Sequence, residues 1–407
     1  MPLDKLIQTL DDHVAQLEAE NRAKGEEAVV TRVLKPEGDR GPRFMLRGQG
    51  EKQFIRMNSN SYLGMGLRPE VIEAEEEGSR SCGAGPGAVR FISGTYEAHT
   101  ELEHRLAAFH GRDAAMIFSS AYATIMGILT PLITGETIVI SDELNHNCII
   151  NAMRLARPAD KVVYPHLDMA ALDRACEQAA GRAKRLMVVT DGIFSMRGDH
   201  APLDEIMAIV RRHDARFEEG AFVVADDSHG VGAFGQTGRG TEEYTDGRVD
   251  LLVGTLGKAF GVNGGYITGP GGVIRFLRET SPFYIYSNPI TPGEARAAHT
   301  AIEILDSPLG TGLLENLRAL TSRFEEGLAD LGMETIPGDH PVVPLMVRDT
   351  ARTRRIVAHL FENGVLATGL AFPVVPRGDE EIRFQVNADH TEADIDRVLE
   401  VLASFES

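Results

Sequence analysis

Four side chains with usable chemistry lie close together in the segment 221–269. Asp226 and His229 fall in AFVVADDSHGVGAFGQTGRG, and Thr255 and Lys258 in VDLLVGTLGKAFGVNGGYITG. A lysine amine condenses with an aldehyde to form a Schiff base. A carboxylate keeps a facing ring nitrogen protonated, and an imidazole can donate a hydrogen bond or carry a proton. Each pair follows an apolar, β-branched run, residues 221–225 or 249–253, which reads as a buried parallel strand.

The same layout recurs upstream. Apolar runs at 114–118, 137–140 and 186–190 end in Ser119-Ser120-Ala121-Tyr122, in SDELNHN with His146, and in DGIFSM with Ser195. With the runs at 222–225 and 251–253 this makes five strands, mostly separated by helical segments. The expected fold is α/β, a doubly wound, mostly parallel sheet with one site beyond its carboxyl edge. An acid, an imidazole and an amine gathered there suit pyridoxal phosphate, which needs a lysine and an acid facing its pyridinium nitrogen. The turn at Ser120-Ala121-Tyr122 into a helix would offer N–H groups to the phosphate. One competing motif fails. Gly230, Gly232 and Gly235 spell G-x-G-x-x-G after a strand, but QTGRGTEEYTDGR follows instead of the amphipathic helix that a dinucleotide site requires.

Outside this region, Leu3, Leu6, Ile7, Leu10, Val14 and Leu17 recur at helical spacing, so the chain should open with a helix that packs on the body or on a second subunit. Residues 31–56 carry seven cationic side chains against Glu37, Asp39 and Glu51, and read as hairpin strands. Arg40 and Arg43 there are candidates for meeting an anionic substrate. SCGAGPGAVRFISGT reads as a glycine-rich turn into a short strand, and residues 100–110 as a helix. Past Gly269, helices are expected at 291–306 and 312–331, strands at 342–347, 364–368 and 382–386, and a last helix capped by Thr391 with Asp394. The expected division is 1–56, an N-terminal helix and short strands; 57–290, a large cofactor domain; and 291–407, a smaller α+β domain.

Composition narrows the function classes. The 407 residues are 43% hydrophobic and 25% charged, with a net charge of −19. That charge argues against a nucleic-acid or anionic-membrane partner. Cys82, Cys148 and Cys176 show neither metal spacing nor a disulfide framework, and no metal is expected. Neither a signal peptide nor a run of membrane-spanning length is visible, so a cytoplasmic enzyme is the expectation.

GTLGKAFGVNGG around Lys258, with DDSHGVGAFGQTGRG upstream, resembles the α-oxoamine synthases, fold-type I pyridoxal-phosphate enzymes that condense an amino acid with an acyl-CoA. SNSYLGM, VRFISGT, ELEHRLAAFHG, SDELNHNCII, TDGIFSMRGDHAPL, YSNPITP and IRFQVNADHT are similar to family segments in family order. The resemblance implies that Lys258 bonds the cofactor and moves the substrate's Cα proton, and that Asp226 faces the pyridinium nitrogen. His229 and Ser195 would hydrogen-bond the phenolic oxygen, and His146 would lie over the ring and serve as a proton donor. Thr255, Ala121 and Tyr122 would hold the phosphate. Ser287 would reach it from the other subunit, which implies a homodimer. Asn60 and Arg383 would contact the amino acid, the arginine by its carboxylate.

VRFISGT and TDGIFSM are most similar to glycine C-acetyltransferase (2-amino-3-ketobutyrate CoA ligase) members, and SNSYLGM is also close to 5-aminolevulinate synthase. Glycine and a short acyl-CoA, acetyl-CoA first, are therefore the expected substrates. Another α-oxoamine synthase, of the 5-aminolevulinate, 8-amino-7-oxononanoate or long-chain type, or a fold-type I aminotransferase, is the alternative. Arg197 stands where the family often has an acid, and Ile125 where an asparagine is common.

Overall fold

The computed structural model describes residues 3–405 apart from 21, 24 and 373. Its centre is a seven-stranded sheet in the order Ala114–Phe118, Gly265–Gly269, Leu251–Thr255, Ala221–Asp226, Arg185–Asp191, Thr137–Asp142, Asp160–Tyr164. All strands run parallel except Gly265–Gly269, which is antiparallel to both neighbours. The five expected strands are present. Two were missed, for different reasons. Asp160–Tyr164 is an edge strand with alternating exposure, so it lacks the continuous apolar run of a central parallel strand. Gly265–Gly269 hides inside a glycine-rich motif: a Cβ on Gly265 would lie 2.4 Å from the amide nitrogen of Ala121. Glycine there lets the strand slide under the start of the helix that forms part of the site.

Helices cover both faces of the sheet, and two large apolar clusters fill the spaces between them. Ile125, on helix Ala121–Leu132, is fully buried in one of these clusters, where an amide would lack partners. The segment VRFISGT corrects the sequence expectation. It forms a single π-helical turn, Arg90–Gly94, in place of a short strand. Burial of the Arg90 guanidinium against Glu103 at 3.2 and 3.3 Å fixes that turn, and helix Glu97–Phe109 follows it.

Strands Val30–Leu34, Arg43–Leu46 and Gln53–Arg56 form the expected hairpins, but a fourth strand, Val365–Leu366, joins them in parallel. The run expected as one strand at 364–368 is therefore divided. Its second part, Thr368–Leu370, pairs with Glu381–Gln385 in a three-stranded antiparallel sheet that also contains Val342–Met346. Helices Pro292–Leu305 and Pro308–Asp330 connect the large sheet to this region. Helix Glu392–Ala403 has the expected capping box at Thr391 and Asp394. The opening helix, Asp4–Ala19, buries none of its residues within this chain, so the packing on the body that was one expectation is not seen.

Asp394 does more than cap. Its carboxylate accepts from the N–H of Gly41 at 2.9 Å and of Thr391 at 3.1 Å, and it pairs with Arg43. Both members of the pair are largely buried. Removing one partner leaves an uncompensated charge inside, so Asp394→Ala should lower the unfolding free energy by about 3 kcal/mol. Urea denaturation checks this, and a loss smaller than about 0.5 kcal/mol would contradict the buried-pair account.

Candidate active site

At the carboxyl edge of the large sheet, four loops converge on a cleft that opens to solvent. The strand ends deliver its walls. Thr137–Asp142 leads to His146, Arg185–Asp191 to Ile193 and Ser195, Ala221–Asp226 to Ser228 and His229, and Leu251–Thr255 to Lys258. Helix Ala121–Leu132 aims its N-terminus at the same space. Ser120 caps it by accepting from the N–H of Ala123 at 3.1 Å, while the N–H groups of Ala121 and Tyr122, both lining the cleft, have no intrahelical acceptor. Convergent N–H dipoles of this kind favour an anion.

Asp226 and Asp227 have opposite fates because successive strand residues point to opposite faces. Asp226 lines the cleft and accepts from Ser228, at 2.5 Å from the hydroxyl and 3.2 Å from the N–H. Asp227 turns away and accepts from the N–H and hydroxyl of Thr241, both at 2.7 Å. Burial raises its carboxyl to about 7. Of the glycines that imitate a nucleotide fingerprint, Gly230 packs on this carboxylate, with Gly192 and Gly240 from outside the motif: a Cβ on Gly230 or Gly192 would lie 2.2 Å from Asp227 Oδ1, and one on Gly240 2.0 Å from Oδ2. The next helix, Thr241–Thr245, has five residues, so no dinucleotide geometry is built.

Lys258 is buried among charges. Burial lowers its amine to about 8, against the pull of Asp226 and then Asp191. Asp191 stands in direct register with Asp226 on the adjacent strand. Burial, and then the charge of Asp226, push its carboxyl well above the ordinary range. Asp191 accepts from the N–H of His146 at 3.0 Å and so fixes the start of helix Asn147–Ala156. His146 remains exposed to solvent overall, and partial desolvation of its ring at the cleft lowers it from its ordinary pKa. Its Nδ1 lies 2.9 Å from Cys148 Sγ, and that sulfur is 3.8 Å from Asp226 Oδ2. Burial and then Asp226 push the thiol far up, so it remains protonated, with a single S–H to give to either Asp226 or His146, while the Cys148 N–H donates to Nδ1 at 3.3 Å.

His229 is neutral as well, because burial and then the Lys258 charge hold it well below its ordinary value. Tyr62 stands behind it, with its hydroxyl 2.7 Å from Nδ1. Arg383 donates to the Ser195 carbonyl at 2.9 Å. The Gln385 amide, with its oxygen turned toward Arg383, accepts from Nη2 and Nε at 3.0 and 3.1 Å. That amide lies 2.7 Å from the amide of Asn60. The structure thus joins Asn60, Gln385, Arg383 and Ser195 along one side.

Four sequence candidates do not line the cleft: Asn60 and Arg383 connect to it through the Ser195 carbonyl, and Thr255 and Ser287 stand apart. Thr255 is buried, donates to the Gly264 carbonyl at 3.1 Å and accepts from the Gly257 N–H at 3.1 Å. Ser287 sits beside the highly exposed Tyr286, with its hydroxyl 3.5 Å from the Asn288 carbonyl. The basic segment is also largely committed. Arg43 is paired with Asp394, Arg56 stacks 4.0 Å over Phe44, and Arg40 lies 3.3 Å from Glu37. Asp191, Cys148 and Tyr62 were missed. The strand-end rule that selected Asp226 also applies to Asp191; for Tyr62 no local signal exists, since its partner is 167 positions away.

Residues 52–402 match the aminotransferase class I and II family. The chain belongs to it. Its relatives within that family are α-oxoamine synthases. The chain is 41% identical over 355 residues to 8-amino-7-oxononanoate synthase of Bacillus pumilus, covering 86% of this chain and 88% of that one. It is 39% identical over 351 residues to the human mitochondrial 2-amino-3-ketobutyrate coenzyme A ligase, covering 85% and 81%. Among solved structures, Sphingomonas wittichii serine palmitoyltransferase superposes with a TM-score of 0.87 at 27% identity, over 99% of this chain and 97% of that one. The family resemblance and the fold-type I architecture read from the sequence are thereby borne out. The preference for glycine over other amino acids is not specifically supported, since relatives of both kinds match. No helix among the described residues is long and apolar enough to cross a membrane.

One loop of this α-oxoamine synthase is held by charge. His166 bridges Asp142 Oδ1 at 3.0 Å and Asp199 Oδ2 at 3.2 Å, and Arg197 donates to Asp199 at 2.8 Å. Burial pulls His166 down, but hydrogen bonds to the two carboxylates outweigh it and raise the imidazole to about 9. The stabilisation is therefore complete below the unfolded pKa of about 6.5 and is lost as pH rises through about 9. His166→Gln should cost on the order of 2 kcal/mol near pH 6 and much less near pH 10. Parallel urea titrations at the two pH values measure the difference, and an equal cost at both would exclude a charged bridge.

Proposed function

We propose that the cleft binds pyridoxal phosphate through Lys258 and that the protein condenses a small amino acid with an acyl-CoA, releasing CoA. The observation that carries this reading is the buried Lys258 amine, brought to about 8, set between Asp226 and the open helix N-terminus at Ala121 and Tyr122. The residues fit the cofactor by their chemistry. A buried carboxylate suits its pyridinium nitrogen, unpaired N–H groups suit its phosphate, and an amine near neutrality suits its aldehyde. When bound, the cofactor supplies an electron sink for the carbanion at the substrate's Cα.

The chain's own groups have separable tasks. Asp226, oriented by Ser228, would face the ring nitrogen, while His229 and Ser195 would hold the phenolic oxygen. Lys258 can take a proton at neutral pH because desolvation has weakened its hold on its own. His146, aimed by Asp191 and Cys148, would lie over the ring face, where it would exclude water and hold a proton for the thioester oxygen. Arg383, braced by Gln385, offers its fork to the amino-acid carboxylate, and Asn60 stands beside it. Thr255 and the partner copy's equivalent of Ser287 complete the phosphate site in a homodimer.

Glycine with acetyl-CoA is the pairing we favour, on the resemblance of VRFISGT and TDGIFSM to glycine C-acetyltransferase members and the 39% identity to a 2-amino-3-ketobutyrate coenzyme A ligase. A longer acyl-CoA with another small amino acid is the second reading, favoured by the 41% identity to an 8-amino-7-oxononanoate synthase. A panel of amino acids against acyl-CoAs, followed by free thiol release, tests both. Thiol should appear with one pairing, and Lys258→Ala should reduce its rate by about 10³-fold or more. An aminotransferase would produce a keto acid and no thiol, and that result would overturn the proposal.

A further inference from the structure

Tyr62 lies outside the cleft yet is among the most constrained residues of the chain. It is fully buried, and its φ of +39° places a bulky non-glycine residue in the left-handed region. Such a conformation costs on the order of 1–3 kcal/mol and persists only where its surroundings over-determine it. Those surroundings are visible. The Ala388 N–H donates to the Tyr62 carbonyl at 2.6 Å, and His340 packs edge-on against the ring at 5.5 Å. His340 accepts the Val342 N–H at Nδ1 (3.2 Å), so its Nε2–H donates to the His229 carbonyl at 2.9 Å. The backbone of His229 and the ring of Tyr62 are thus fixed by the same neighbour.

The Tyr62 hydroxyl has two oxygen or nitrogen neighbours. The Asn60 amide, at 3.5 Å, is at the limit of a hydrogen bond and turns its nitrogen, a donor, toward Gln385 and Tyr62, whereas His229 Nδ1 is at 2.7 Å. The phenol proton belongs on the shorter contact. A neutral imidazole that accepts at one nitrogen carries its proton on the other. Resting on the cofactor reading above, we infer that Tyr62 is a positioning residue: by donating to Nδ1 it holds His229 in the Nε2–H tautomer, so that the histidine presents a donor to the cofactor's phenolic oxygen. The opposite tautomer would present a lone pair to an oxygen that is also an acceptor.

The tautomer can be observed without cofactor. In protein labelled with ¹⁵N-histidine, the His229 signal, assigned by its loss in H229N, should show a protonated Nε2 and a hydrogen-bonded, unprotonated Nδ1. In Tyr62→Phe, which keeps the ring and should leave Tm nearly unchanged, the Nδ1 resonance should shift downfield as its donor is lost. The Kd for pyridoxal phosphate should rise about tenfold in Y62F, the loss expected for one hydrogen bond to a charged group. It should rise no further when Y62F is added to H229N. A protonated Nδ1 in the unaltered protein would overturn the inference, as would an equal loss of affinity on the H229N background. Failure of the unaltered protein to take up the cofactor would sink the cofactor reading instead, and the resonance measurement would still decide the tautomer.

Discussion

Taking an ammonium out of water costs several kcal/mol unless opposite charge accompanies it, and Lys258, half-buried at the cleft wall, has been taken largely out of water. Two carboxylates share its environment, Asp226 and Asp191, side by side at the ends of adjacent parallel strands. Neither could be buried alone at acceptable cost, and two such acids in register would repel. The amine makes the acids tolerable, and the acids keep the amine from losing its proton altogether. Parallel pairing is what permits this arrangement. It brings the carboxyl ends of four strands to one edge, where residues far apart in the chain meet without any loop having to reach across the fold.

Around this charge balance the polar groups behave as a graded set. Burial holds His229 neutral and partial desolvation lowers His146, while His166, set between Asp142 and Asp199, is held charged. The contrast follows from partners. His166 has a carboxylate on each nitrogen, whereas the inner histidines face a thiol, a phenol and a lysine. Charge at the rim fixes the loop that carries Ser195, and neutrality inside leaves ring nitrogens able to donate or accept.

Rigidity comes from the layer behind the cleft. Asp227 anchors the glycine-rich loop, Asp191 anchors the helix that begins at Asn147, and Gln385 braces Arg383. None of these needs to touch a ligand. Each fixes the direction of a group that does, and directional accuracy of this kind is what a proton-transfer site requires.

The sequence by itself determined the strand ends, and through them Asp226, His229, His146, Ser195 and Lys258. An apolar β-branched run that stops at polar residues is a local signal, and the parallel-sheet rule turns five such stops into one site. It also dismissed the nucleotide motif, because the residues after Gly235 lack a helical face. What only tertiary structure decided is which of two adjacent acids faces the cleft, why the glycines are there, and who stands behind the histidine. Asp227 is explained by Thr241, Thr255 is engaged with Gly264, and Arg43 is committed to Asp394 across the whole length of the chain. Tyr62 meets His229 across 167 positions. Hydrogen bonds and buried charges act over a few ångströms of space and carry no trace in local periodicity, so they become legible only when the chain has folded.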